Sequence, residues 1–394
     1  MNSSEPRDAI QTKNHRLRVL IVHWGQNGGG PLFTYKLATA LAARGDVNVY
    51  LSYNRNADIS ERLANIRVPS LCVTTYSNRI QVIIGLPKLL FISLLLRRFV
   101  AQNQIDVVFS TMGSLWQSLA VRLYTPSSVK YITSIHDPLS HPGDEHVIKR
   151  LLFRGDLTRA DGVVVYSSTV ADVLRSKTTL DGKELIRTVH GIYGDVGHAR
   201  TLSSNSTVVL GFFGRLVAYK GIDLLLEALD LLKESDPSRH YKLSIYGEGD
   251  RRLLSSAIDR ADVSIHAGWV RDADVAAIIG NFDILVLPYT EASQSGPLSY
   301  AIGACIPVVV TPVGALPEQI EQGRFGTVAM SVSSEDIARA ITLTADPNRY
   351  AAISRQMFES GRSEYSWDRV ARDVVSGMRK VCMRPAEEPR DIES

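Results

Sequence analysis

The feature that most limits how this chain can fold is an order that recurs along it. A short β-branched run comes first, then a glycine-bearing loop, then a helical pattern. Residues 18–23 read RVLIVH, Gly25 and Gly28 to Gly30 follow, and PLFTYKLATALAARG runs from Pro31 to Gly45. Proline in the first turn and glycine just past the last are ordinary helix punctuation. Residues 47–53 supply the next strand, which completes one β–loop–α–β unit of a parallel sheet. Residues 106–110 (DVVFS), 130–135 (KYITSI), 162–166 and 185–189 continue the series. Near-continuous apolar runs of this length suit a sheet covered by helices on both faces.

A stretch rich in Ser, Thr and Gly, residues 193–207, reads as a linker, and a second series then begins. Strands are expected at 208–213, 242–246, 263–267, 284–287 and 307–310, with a helix over 221–232. The expectation is α/β: two Rossmann-like, doubly wound domains at 16–195 and 205–364, facing an interdomain cleft. Residues 1–15 and 384–394 read as disordered tails. Open parallel sheets bind ligands beyond the carboxyl ends of their strands, and two facing sheets put both sets of ends into one cleft.

Composition narrows the function classes. Apolar residues make up 45% and charged residues 22%, enough for a full core in each half. The net charge is +3 and the basic residues are dispersed, so no nucleic-acid partner is expected. Cys72, Cys305 and Cys382 are far apart, which argues against a disulfide framework or structural zinc and for a reducing, cytoplasmic setting. The N-terminus has no apolar secretory region. Residues 86–100 (LPKLLFISLLLRRFV) are the most hydrophobic segment, too short to cross a bilayer. Flanked by Lys88, Arg97 and Arg98, the segment reads either as a buried helix or as a face for peripheral contact with the inner membrane.

Two segments carry candidate chemistry. In GFFGRLVAYKG, Gly214 lets the chain turn at a strand end, placing Arg215 and Lys220 on the cleft side. A planar guanidinium fork and a mobile ammonium suit a diphosphate; the plain alternative is a surface pair before a helix. In LPYTEASQSGPLS, a helix starts near Pro297 with Ser295 or Gly296 as N-cap, and its free N–H groups form an anion site. Glu291 precedes that helix and is expected to face a sugar, since phosphate would repel it. His136, at a strand end, reads as a site residue or a structural hydrogen bonder. His141, Asp144 and His146 match no metal-ligand spacing, so neither metal nor cofactor is expected. Nicotinamide, P-loop and serine-hydrolase motifs are absent.

Taken in order, GGGPLFTYKLATALAARG, GFFGRLVAYKG, YGEGD, LPYTEASQSGPLSYAIGACIPVVVTPVGALPEQI and YSWDRVARDV resemble family 4 retaining glycosyltransferases of the GT-B fold, over roughly residues 18–380. The resemblance implies a nucleotide-diphosphate sugar as donor and a glycan or polyprenyl-linked glycan as acceptor, in polysaccharide biosynthesis. It implies that Arg215 and Lys220 hold the diphosphate and that Glu291 contacts the transferred sugar. Gln294, Ser295, Gly296, Pro297 and Leu298 would present amides to the donor, and His136 would border the sugar. Gly29 and Gly30 would approach the phosphates, with Gly214 and Gly247 at the strand ends and Val270 near the base. A closing helix, 365–382, would pack back on the first domain. One departure stands out: the family's second glutamate, eight positions after Glu291 and generally on the ribose hydroxyls, is Ser299 here, which is expected to bind the donor there by a weaker hydrogen bond. A nucleotide-sugar epimerase or hydrolase, or a non-catalytic binder, are the alternatives.

Overall fold

A computed structural model describes residues 16–76, 79–137, 147–194, 197–203, 207–235, 237, 239–361 and 363–384. The tails, the boundaries set at 195 and 205, and His141, Asp144 and His146 lie outside the described residues, apart from Arg384, which pairs with Glu184.

The first sheet comprises β1 (Leu17–His23), β2 (Val47–Asn54), β3 (Ser70–Val73), β4 (Val107–Ser110), β5 (Lys130–Ile135), β6 (Gly162–Val165) and β7 (Glu184–Arg187). Its strand order is β3-β2-β1-β4-β5-β6-β7, parallel throughout. The second comprises β8 (Val208–Phe213), β9 (Tyr241–Gly247), β10 (Val263–Ala267), β11 (Ile284–Leu287), β12 (Val308–Val310) and β13 (Gly326–Val328). Its order, β10-β9-β8-β11-β12-β13, repeats the doubly wound pattern, with the switch point beside β8. The expected architecture is therefore present.

Alternation along a strand explains why both faces of the first sheet are covered. In β1, Val19 and Ile21 face one core and Leu20 and Val22 the other. The first of these cores also receives the helix Trp367–Met383, through Val370, Val374, Met378 and Val381. Gly377 lets this helix approach closely, since a Cβ there would lie 2.4 Å from the Ile186 side chain. β3 and β13 were not expected from the sequence. β3 is four residues long with only Val73 fully buried, and β13 is three residues long, so neither shows a sustained apolar run. The first helix, Gly29–Ala42, starts two residues earlier than expected, with Pro31 inside its first turn.

The hydrophobic segment forms the helix Leu86–Gln102. Leu89, Ile92, Leu96 and Val100 enter the second core of the first domain. Among the described residues no helix is long and apolar enough to cross a membrane.

Candidate functional site

Two loops build the site, one after β8 and one after β11. The first is fixed by close backbone contacts. Gly214 donates its N–H to the Tyr246 carbonyl at 3.0 Å, and Leu216 donates to Glu248 at 2.8 Å. A Cβ on Gly247 would sit 1.7 Å from the Gly214 oxygen, so only glycine lets these strand ends touch. Arg215 consequently projects outward, its Nη2 donating to the Tyr219 hydroxyl at 2.8 Å. A short turn, Ala218–Lys220, then ends at Gly221, whose φ of 65° is left-handed. A side chain there would strike the Pro288 carbonyl, at 2.0 Å from the Cβ position.

This contact joins the first loop to the second. Thr290 donates its N–H to the Tyr219 carbonyl at 2.8 Å. Lys220 Nζ lies 3.4 Å from the centre of the buried Tyr289 ring, a cation–π geometry. Burial, with repulsion from Arg215 added, lowers the Lys220 pKa to about 8, partly offset by Tyr219 and Asp137. Ser295 is the N-cap of the helix Gly296–Gly303 but its hydroxyl meets Tyr289 instead of a helix amide, and its N–H goes to Gln319 Oε1 at 2.8 Å. The amides heading that helix have no intrahelical partner.

Gly214, Arg215, Tyr219 and Lys220 of the first loop meet Gln294 to Pro297 of the second around a cavity of about 220 Å³. Tyr289 and Ala292 complete this side, and Asp137, just past β5, lines it from the first domain. Two cations and a bare helix start therefore share one small space, an arrangement suited to two adjacent phosphates. Both polar atoms of the Gln294 amide are buried without a hydrogen-bond partner among the described residues. Such groups cost free energy unless a bound molecule satisfies them.

The other expected residues stand apart from this cavity. Glu291 is exposed on the rim of the second loop. Leu298 belongs to the core of the second domain, and Val270 packs partly against it beyond β10. Gly247 supports Gly214 from behind. Gly29 and Gly30 open the first helix, and a Cβ on Gly30 would lie 2.7 Å from the His23 ring. His136 Nε2 donates to the Thr111 carbonyl at 3.1 Å, and its ring stacks on Tyr166 at 4.6 Å. Burial lowers its pKa. Ser299 is turned from the cavity: its Oγ meets His190 Nδ1 at 2.8 Å, and its carbonyl accepts from Tyr193 at 3.2 Å. It lies two residues beyond Pro297 on the helix and so faces the seam between the domains, where its hydroxyl is taken up.

Sequence reasoning missed Asp137, Tyr219, Tyr289 and the buried His23. Tyr219 sits directly before Lys220 and Tyr289 directly after a strand and proline, but nothing local says that their rings face one cation. Burial also holds the His23 and His190 pKa values down to about 4, so both imidazoles are neutral near pH 7. Among the described residues no group of three His, Cys, Asp or Glu side chains is placed to hold a metal ion.

A second contact crosses between the domains. Glu318 accepts from the N–H groups of Ser168 at 2.5 Å and Thr169 at 2.9 Å, and from the Thr169 hydroxyl. These amides head the helix Ser168–Lys177. Burial would raise the Glu318 pKa, but these bonds outweigh it and hold the group below its ordinary value.

Comparison with known proteins matches two family models. One described as "Glycosyltransferase Family 4" covers residues 27–201, and one described as "Glycosyl transferases group 1" covers residues 207–346. Mannosylfructose-phosphate synthase of Agrobacterium fabrum is 26% identical over 189 residues, 45% of this chain and 42% of that protein. The chain spans less than half the length of each of three curated relatives it matches. A glycosyltransferase from Rickettsia africae superposes with a TM-score of 0.69 at 16% identity, covering 94% of this chain and 100% of that one. Anabaena HepE, solved with UDP-glucose, gives 0.69 at 14% identity, covering 92% and 100%. At such identities the superpositions speak for the fold.

Proposed function

Because the chain belongs to glycosyltransferase family 4 and has the GT-B fold, we propose that it moves a sugar from a nucleotide-diphosphate sugar to a hydroxyl of a glycan or polyprenyl-linked glycan, with retention at the anomeric carbon. The observation that carries this reading is the shared cavity of Arg215, Lys220, the Gly296–Gly303 helix start and the unpartnered Gln294 amide. UDP-glucose bound to the structural neighbour HepE supports a donor of this class.

In this mechanism the bond from the anomeric carbon to the terminal phosphate oxygen breaks, and its electron pair leaves with the diphosphate. Arg215, Lys220 and the helix amides hold the charge that develops there, so these protein groups take the place of a metal. The acceptor oxygen attacks from the same face, and its proton passes to the leaving phosphate. Glu291, on the rim, accepts hydrogen bonds from the sugar hydroxyls. His136, neutral and fixed by Thr111, borders the sugar from the first domain. Closure over both substrates excludes water and limits hydrolysis of the donor. Polysaccharide assembly at the cytoplasmic face of a membrane is the setting this acceptor class implies.

The test is turnover of a panel of nucleotide sugars with and without glycan acceptors, the product anomer being read by NMR. Arg215→Ala lowers kcat by roughly 10²–10³ with the fold intact, the usual loss for one oxyanion-type contact. Unchanged turnover in that variant, or tight donor binding with no transfer to any acceptor, defeats the proposal. Sugar release to water alone would mark a hydrolase instead.

A further inference from the structure

The helix Leu86–Gln102 buries one face, and among the described residues nothing covers the other. Leu89, Ile92, Ser93, Leu96 and Val100 point inward. Leu90, Phe91 and Leu94 recur at helical spacing on the outer side, and Ile84 and Leu86 lie just before them. These five side chains keep between 49% and 73% of their surface exposed. Ordinary surfaces carry single apolar side chains; a contiguous group marks a contact site.

Charge identifies what the group contacts. Lys88 accompanies the apolar stripe, and Arg97 and Arg98 continue it one turn further along. Between Glu61 and Asp137 the only acidic residue is Asp106, and it is paired with Arg18 just ahead of β4. An apolar stripe bordered by cations, in a stretch of sequence with a single, paired acid, complements an anionic lipid surface: hydrocarbon below, phosphate at the rim.

The placement is also specific. Gly85, just ahead of this helix, abuts Trp116, near the start of the helix Leu115–Tyr124, with 2.6 Å from a Cβ position to the ring. Tyr76 packs edge-on to the same indole at 5.3 Å, and its carbonyl accepts from Gln26 in the glycine loop after β1. The apolar end of the helix thus sits at the carboxyl-end side of the first sheet, on the rim of the cleft.

We propose that Ile84, Leu86, Leu90, Phe91 and Leu94, with Lys88, Arg97 and Arg98, form a docking surface for an anionic membrane and seat the first-domain rim of the cleft on the bilayer. This surface is independent of the transfer chemistry, so a failure here leaves the donor site standing.

The test is flotation of the full chain with phosphatidylcholine vesicles and with vesicles doped with phosphatidylglycerol. The expected result is binding to the anionic vesicles that weakens as salt rises. Leu90→Ser/Phe91→Ser/Leu94→Ser cuts it by roughly tenfold or more, since binding scales with buried apolar area. Arg97→Gln/Arg98→Gln cuts it roughly fivefold per charge removed. Both variants keep the parent's thermal transition and nucleotide-diphosphate affinity. No binding to anionic vesicles, or binding that the triple serine variant leaves unchanged, overturns the proposal. So does a dimer, seen by sedimentation, that the triple variant abolishes, since the occupant is then a second copy of the chain.

Discussion

Lys220 offers a test that works from a single side chain to the affinity for substrate. Its ammonium stands over the Tyr289 ring in a partly closed space, and burial together with Arg215 brings its pKa from 10.5 to about 8. A bound diphosphate stabilises the charged form, so in the complex the proton stays on. Binding above pH 8 must therefore take up a proton. The free protein holds that proton on about one molecule in ten at pH 9, so the dissociation constant for a nucleoside diphosphate rises about tenfold between pH 7 and pH 9. The phosphates do not confuse this window, because their last ionisation, near pH 6, is already complete. Calorimetry at pH 9 in two buffers of different ionisation enthalpy reads the uptake directly, at roughly 0.9 proton per ligand bound.

Lys220→Met keeps an apolar stem on the ring and removes the titrating group. Its affinity is weaker at pH 7 by about 1.5–3 kcal/mol, the range for a hydrogen bond to a charged partner, and flat from pH 7 to pH 9. The sign on stability is fixed as well. Between about 8 and 10.5 the unfolded chain binds this proton better than the folded one, so the Lys220 contribution makes the parent gain stability as pH rises there, and the variant lacks that slope. A parent affinity independent of pH over this range, or a variant that keeps the slope, refutes the placement of Lys220 against the phosphates.

Three further outcomes follow from the same geometry. Gln294→Leu removes a buried amide that has no partner among the described residues, so melting temperature holds or rises while nucleotide-sugar affinity falls roughly tenfold; calorimetry and thermal denaturation separate the two. Glu318→Ala strips the cap that the second domain places on the Ser168–Lys177 helix, at a cost of about 1 kcal/mol, and opens the ligand-free cleft, read as a larger radius of gyration in solution scattering. Because the Glu318 pKa is lowered, the parent keeps this contact at neutral pH and loses it as pH falls through the folded-state value. Ser299→Ala breaks the bond to His190 at the seam and costs about 1–2 kcal/mol in chemical denaturation, with little change in nucleotide affinity.

These predictions divide along the line between local and long-range information. The two domains were legible because a parallel sheet buried on both faces forces unbroken apolar strands, and glycine and proline mark the turns between them. Arg215 and Lys220 were legible for a related reason: both follow a strand end, where a doubly wound sheet places its ligand. β3 and β13 were not legible, being only four and three residues long, with a single fully buried side chain in β3. Asp137, Tyr219 and Tyr289 escaped because their part in the cavity depends on three loops meeting, a contact that no spacing along the chain records.

Ser299 shows the same limit more sharply. The sequence marks it as a departure from the resemblance at a position where a carboxylate is usual, and read alone this suggests a weakened donor site. The structure shows the hydroxyl paired with His190 in the seam, beside the Tyr193 amide and the aromatic packing around Trp367. A neutral hydroxyl suits that place. His190 is held neutral by burial, and a carboxylate opposite it would have to be desolvated or would have to charge the ring. The substitution therefore bears first on how the two domains are joined, and on the donor only through that joint, which is why stability and nucleotide affinity should separate in the Ser299→Ala protein.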